Sequence, residues 1–187
     1  GLSLAPAGAT FNAPYGAAYS QAFSASGGVG PYTYASTGTL PPGISFSGDT
    51  VSGTATTPGT YSFTITATDT GSTGSGSPFT VAENYTINVA APVIVVNPAT
   101  LPNPTAGTAY SQVITATGGV GPYGFAVTAG TLPNGITLAT GGTLSGTTNE
   151  VGTFNFTVTA TDANGQAGTR AYTLAVAAPV LTMNPAP

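Results

Sequence analysis

The sequence predicts an all-β chain folded as two tandem β-sandwiches of about seven strands each, arranged end to end. Three observations carry that prediction. The chain repeats itself: Tyr19-Ser20-Gln21 and Gly27-Gly28-Val29-Gly30-Pro31-Tyr32 recur as Tyr110-Ser111-Gln112 and Gly118-Gly119-Val120-Gly121-Pro122-Tyr123, a shift of 91 residues (19 to 110, 27 to 118). Apolar residues alternate with a period of two, as in strands with one buried face. The 27 Gly and 16 Pro cluster between those apolar runs, where turns need a fixed or positive φ, and no helical period of useful length occurs.

Each strand can be justified in turn. In the first repeat the runs Tyr19 to Ala25 and Tyr32 to Ala35 come early, matched by Tyr110 to Ala116 and Tyr123 to Val127 in the second. Gly59 to Asp69 matches Gly152 to Asp162. It places Phe63, Ile65 and Ala67 on one face and Thr64, Thr66 and Thr68 on the other; its counterpart sets Phe154, Phe156, Val158 and Ala160 against Asn155, Thr157, Thr159 and Thr161. The closing strands alternate through Tyr85, Ile87, Val89 and through Tyr172, Leu174, Val176. About seven short strands with turn signals every eight to twelve residues describe a sandwich of the immunoglobulin type. A 91-residue period is one small domain, since solenoid and propeller repeats run at roughly 20 to 50 residues. The expected boundaries are 1–91 for the first domain and 92–178 for the second, with 179–187 as the first strand of a following repeat or an exchanged terminal strand.

Composition excludes whole classes of function. There is no His, Cys or Trp, and Arg170 is the only cation against Asp49, Asp69, Glu83, Glu150 and Asp162. Nucleic acid and anionic membrane are held chiefly by Lys and Arg, so neither is an expected partner. No run of 18 apolar residues occurs, so no membrane insertion is expected. Without His, Cys or Lys the usual general bases and nucleophiles are missing, and the chain is read as not an enzyme. The chain has neither an initiator Met nor a cationic apolar leader, and so reads as a processed product or a fragment. Its Thr, Ser and Gly richness points outside the cell. The sequons Asn84-Tyr85-Thr86 and Asn155-Phe156-Thr157 fall inside strand-like runs and read as chance.

The order Gly-Gly-Val-Gly-Pro-Tyr, then Thr39-Leu40-Pro41-Pro42-Gly43-Ile44, then Val51-Ser52-Gly53-Thr54, then Gly59-Thr60-Tyr61-Ser62-Phe63 ending in Thr66-Ala67-Thr68-Asp69, resembles the bacterial He_PIG group of cadherin-like immunoglobulin modules. The second copy carries Thr131-Leu132-Pro133-Asn134-Gly135-Ile136 and Thr159-Ala160-Thr161-Asp162 in the same places. The likeness covers nearly the whole chain. It implies a stalk, spacer or adhesive repeat of a secreted or bacterial cell-surface protein, whose partners are neighbouring repeats or copies of itself, or a surface glycan or protein.

The repeats differ in one loop and share one hinge. Fifteen residues separate Asp69 from Tyr85 and nine separate Asp162 from Tyr172, so the first copy carries six more, within Gly71 to Pro78. This reads as a tolerated loop extension or as a contact loop. Val89-Ala90-Ala91-Pro92-Val93 joins the domains without a Gly, and Pro92 holds Ala91 extended. The same signature returns at Ala177-Ala178-Pro179-Val180, and residues 180–187 are expected either to open a third repeat or to pair by strand addition on a sheet edge, in which case the chain is a filament subunit.

Two candidate sites remain. Asp69 with Glu83, which flank one hairpin loop and could approach each other, and Asp162 with Asn164 place oxygen ligands where a hard cation such as calcium would take them. The alternative is an Asx turn opening each hairpin. No cofactor other than that calcium is expected. The outward threonines Thr64, Thr66, Thr68 and Thr157, Thr159, Thr161 read as a glycan-binding or sheet-packing row, or as the solvent face that Thr favours in any strand.

Overall fold

The computed structural model describes residues 1–181, which are all-β and contain seventeen strands. They divide into two compact units, Gly1–Pro92 and a second that begins at Val93.

In the first unit the strands are β1 (Ser3–Ala5), β2 (Thr10–Ala13), β3 (Ala18–Ala22), β4 (Ser24–Ser26), β5 (Tyr32–Gly38), β6 (Ile44–Ser47), β7 (Thr50–Thr54), β8 (Gly59–Asp69) and β9 (Phe79–Val89). One sheet has the order β2-β9-β8-β5 and the other β3-β7-β6, with β1 paired to β4. The nine elements reduce to seven strands with two interruptions. β3 and β4 are one strand broken at Phe23, whose ring is buried in the core. β1 and β2 are one opening strand that changes partner, running antiparallel to β4 and then parallel to β9 from Thr10–Thr86 to Ala13–Val89.

The alternation read from the sequence builds the core. Phe63, Ile65 and Ala67 of β8 and Tyr85, Ile87 and Val89 of β9 point inward, against Phe23, Ile44 and Val51. Phe23 meets Tyr85 edge-on at 4.9 Å between ring centres, and Phe63 stacks on the same ring at 5.6 Å. Burying side chains of this size stabilises by about 1.5–3 kcal/mol each.

The second unit holds β10 (Val95–Asn97), β11 (Ala109–Val113), β12 (Thr115–Thr117), β13 (Gly124–Gly130), β14 (Ile136–Leu138), β15 (Thr143–Thr147), β16 (Gly152–Thr161) and β17 (Ala167–Val176). Its sheets are β13-β16-β17 and β11-β15-β14, with β10 on β12. Ile114 stands where the first unit has Phe23, and Phe156, Val158, Tyr172 and Leu174 fill the inner face. Where β2 makes four parallel rungs with β9, this unit has the single parallel bridge Thr105–Ala177. Val180 and Leu181 are exposed, and the rest of the expected terminal strand, 182–187, lies outside the described residues.

The six extra residues of the first repeat are shared between loop and strand. The β8–β9 loop spans 70–78, nine residues, against 162–166, five residues, between β16 and β17; the other two lengthen the hairpin by the rung Asp69–Phe79.

Candidate functional site

The motif Gly-Gly-Val-Gly-Pro-Tyr and the Asp that closes β8 or β16 form one site in each unit. Asp69 is fully buried at the end of β8. Its carboxylate accepts the amides of Val29 at 2.9 Å, Gly30 at 3.0 Å and Gly71 at 3.1 Å, and the hydroxyl of Ser72. One carboxylate therefore ties the loop before β5 to the loop after β8. The Ser72 hydroxyl and the amides of Val29, Gly71 and Gly30 hold the Asp69 carboxyl below the usual carboxylate range, against burial, which pushes it up.

The second unit repeats the device. Asp162 accepts the amides of Val120 at 3.1 Å, Asn164 at 2.9 Å and Gln166 at 2.8 Å. The bonds to Gly71 and Asn164, two residues on, are the Asx turns expected from sequence. The bonds to Val29 and Val120, about 40 residues back, carry no local sequence signal.

The rest of the shared motif serves the same loops. The Tyr32 hydroxyl accepts the Gly28 amide at 3.1 Å, and Tyr123 accepts that of Gly119 at 3.0 Å. A side chain on Gly28 would place its Cβ 2.1 Å from Asp69 Oδ2, and one on Gly119 would come 2.7 Å from Asp162 Oδ2. The second pair of motifs also meets glycine to glycine. A Cβ on Gly53 would fall 2.1 Å from the Gly43 carbonyl, and one on Gly146 would fall 1.8 Å from that of Gly135. The shared Tyr of the closing strand donates to the opening strand, Tyr85 to the Pro6 carbonyl at 2.7 Å and Tyr172 to that of Pro98 at 2.6 Å.

Glu83 does not join Asp69. Because the hairpin continues to Asp69–Phe79, Glu83 lies inside β9 opposite Ile65, four positions along β8 from Asp69, so the expected approach of the two acids is not made. It sits beside Gly8, where a Cβ would come 3.6 Å from its Oε2. Arg170 occupies the same place in the second unit, two residues before the shared Tyr, and its Nε donates to the Val96 carbonyl of β10. Asn164 is half-buried in the turn after Asp162. Glu150 accepts the Asn134 amide at 2.8 Å and its side-chain Nδ2, and so closes the Leu-Pro-Asn-Gly turn. Among the described residues no three of His, Cys, Asp and Glu gather in a group able to hold a metal.

The outward hydroxyls bond across the strands. Thr64 donates to Asn84 Oδ1 at 2.7 Å, Thr173 donates to Asn155 Oδ1 at 2.7 Å, and Thr128 and Thr159 share a bond of 2.7 Å. Both sequon asparagines thus lie in strands with their side-chain oxygens engaged. No helix of the described residues is long and apolar enough to cross a membrane.

A family model described as "Putative Ig domain" matches residues 2–90 and again residues 92–177. Among solved structures the chain is similar to a Bacteroides fragilis protein described as a putative alpha-galactosidase, with 20% identity over 46% of this chain and 18% of that one, at a TM-score of 0.40. It is also similar to mouse cadherin-23 EC22-24, with 16% identity over 94% of this chain and 66% of that one, at 0.41. A third is the human desmocollin-1 ectodomain, with 10% identity over 91% and 41%, at 0.38. The chain thus spans less than two thirds of the length of each, and these likenesses assign it no role. No curated protein matches the chain.

Proposed function

The chain belongs to the family described as "Putative Ig domain", and from that membership we propose that it is a structural or adhesive tandem module of a secreted or bacterial cell-surface protein. The observation that supports this reading is how the two repeats spend the residues they share. Gly28 and Gly119, Gly43 and Gly135, Gly53 and Gly146, Asp69 and Asp162, Tyr85 and Tyr172 are all engaged with backbone or with one another. What the duplication keeps is the means of closing a sandwich, as a spacer or stalk repeat requires. An adhesive contact would use the outward faces, where both repeats carry the same threonine rows, Thr64, Thr66 and Thr68 and Thr157, Thr159 and Thr161.

Asp69 and Asp162 are then loop clamps, their oxygens taken by the chain's own amides, and calcium is not needed to hold either loop. Retention on a glycan array separates spacer from adhesin. Binding lost in Thr66→Lys or Thr159→Lys supports adhesion through the outward threonines. Unchanged retention removes the glycan reading. If the pair is exchanged, within the parent protein, for two unrelated sandwiches of equal length, a spacer keeps the parent's function and an adhesin loses it.

A further inference from the structure

The two units protect their sheet edges differently, and the difference lies in one turn. Strand β5 is the outer strand beside β8, and β13 is its equivalent beside β16. Thr70 N–H reaches the Pro31 carbonyl at 3.0 Å and Thr39 N–H reaches that of Ser62 at 2.9 Å, so the odd-numbered residues of this strand bond to β8. The N–H and C=O groups of Tyr32, Tyr34 and Ser36 therefore point away from the sheet.

In the second unit the matching outward amide, Phe125 N–H, is taken at 2.9 Å by the Thr140 carbonyl, from the four-residue turn 139–142 between β14 and β15. A bulge between Val127 and Ala129 also breaks the line of β13. The first unit has only Gly48 and Asp49 between β6 and β7. That shorter turn leaves a cleft of about 490 Å³ along the edge, lined by Tyr32, Thr33, Tyr34, Gly48 and Asp49. The register of β5 on β8 is unbroken from Tyr32–Asp69 to Gly38–Phe63, and the strand has no charge and no Pro. An unbroken, uncharged edge of seven residues is a template for another strand.

We propose that β5 is a homotypic docking edge, pairing antiparallel with β5 of a second copy of this chain about a two-fold axis through Ala35. This goes beyond the stalk or adhesive reading and does not depend on it. The occupant must offer outward backbone groups on alternate residues of an extended, uncharged run, and β5 itself offers that set. In this register Tyr34 pairs with the partner's Ser36 and Ser36 with the partner's Tyr34, while the two Ala35 side chains lie side by side. Asp49 lines the cleft at the Tyr32–Tyr34 end and disfavours an acidic segment there; in this register the segment opposite that end is the partner copy's 36–38, which is uncharged, and the two Asp49 side chains fall at opposite ends of the interface. The interface is isologous, so it closes at a dimer.

The chain has no Cys, which makes the test direct. Directly opposed residues of a non-hydrogen-bonded antiparallel pair lie about 4.5 Å apart at Cα, within reach of a disulfide. In the full 187-residue chain, Ala35→Cys should yield a disulfide-linked dimer under mild oxidation, and Ala126→Cys, the matching position of β13, should stay monomeric. Ser36→Pro removes an outward amide, which an edge strand tolerates; sedimentation should then show loss of the dimer with an unchanged melting temperature. If that variant does not fold, Ser36→Lys serves in its place and should likewise be monomeric. Equal crosslinking at 35 and 126, wild-type chain that sediments as a monomer, or a dimer that persists in folded Ser36 variants would each overturn the proposal.

Discussion

Gly28 and Asp69 lie so close that no side chain fits between them: a Cβ on the glycine would stand 2.1 Å from the carboxylate oxygen. The glycine's place in the motif is thus set by the aspartate some 40 residues later. Gly28→Ala should destabilise the first unit by about 3 kcal/mol, the upper end for overpacking, seen as a lower denaturation midpoint. Gly119→Ala should cost less, because its nearest oxygen is 2.7 Å away. Gly141, with nothing within 4 Å, is the control; its change to Ala should be neutral or mildly stabilising.

The Asp69 clamp gives the first unit a defined acid sensitivity. The carboxyl titrates below its unfolded value of about 3.9. Its contribution is thus complete above that pH and is lost as the pH falls through the folded value, because the unfolded chain then binds the extra proton. Thermal melts from neutral pH downward should show the first unit weakening below about pH 4. In Asp69→Asn the melting temperature should be lower at neutral pH, and its acid-dependent fall should be smaller. An undiminished fall in that variant would assign the sensitivity to another group.

Tyr19 and Tyr110 hold equivalent positions with unequal partners. Tyr110 donates to the Pro102 carbonyl at 2.9 Å, whereas the buried Tyr19 hydroxyl has no hydrogen-bond partner among the described residues. Burial pushes both hydroxyls above their ordinary pKa. Tyr110→Phe should cost about 1 kcal/mol by leaving the carbonyl short of a donor, and Tyr19→Phe should be neutral or stabilising. Chemical denaturation of the two variants checks the contrast, and equal losses would contradict it.

Calcium should leave the chain's stability unchanged. A ligand bound by the folded state alone raises stability with its concentration, but the Asp69 oxygens already accept four hydrogen bonds from the chain itself. Melting curves with millimolar calcium and with excess chelator should superpose. A rise in melting temperature with calcium would restore Asp69 or Asp162 as ligands.

Alternation in the sequence is enough to reveal which residues of β8, β9, β16 and β17 are buried, because period-two burial is a local property of a strand. It does not reveal partners. The change of partner by the opening strand at β1 and β2, and the break of the next strand at Phe23, depend on tertiary pairing and leave no periodic trace. The Asx turns at Asp69 and Asp162 were legible because they span two residues. The reach of the same carboxylates to Val29 and Val120 was not, since nothing near either Asp in sequence marks a partner so far away. The two-residue difference between the turns 48–49 and 139–142 stands in the sequence, but its consequence for the sheet edge appears only when Phe125 N–H is seen to meet Thr140.

The opening strand has a further, mechanical meaning. In the first unit β2 lies parallel to β9, so a pull on the two ends of that unit drags these strands along one another and loads Thr10–Thr86 through Ala13–Val89 together. In the second unit the same load falls on one parallel bridge, Thr105–Ala177, with the side-chain bonds of Arg170, Tyr172 and Asn103 beside it. Stretched in series, the repeats should yield in order, the second at lower force, so that a duplicated pair becomes a two-stage shock absorber.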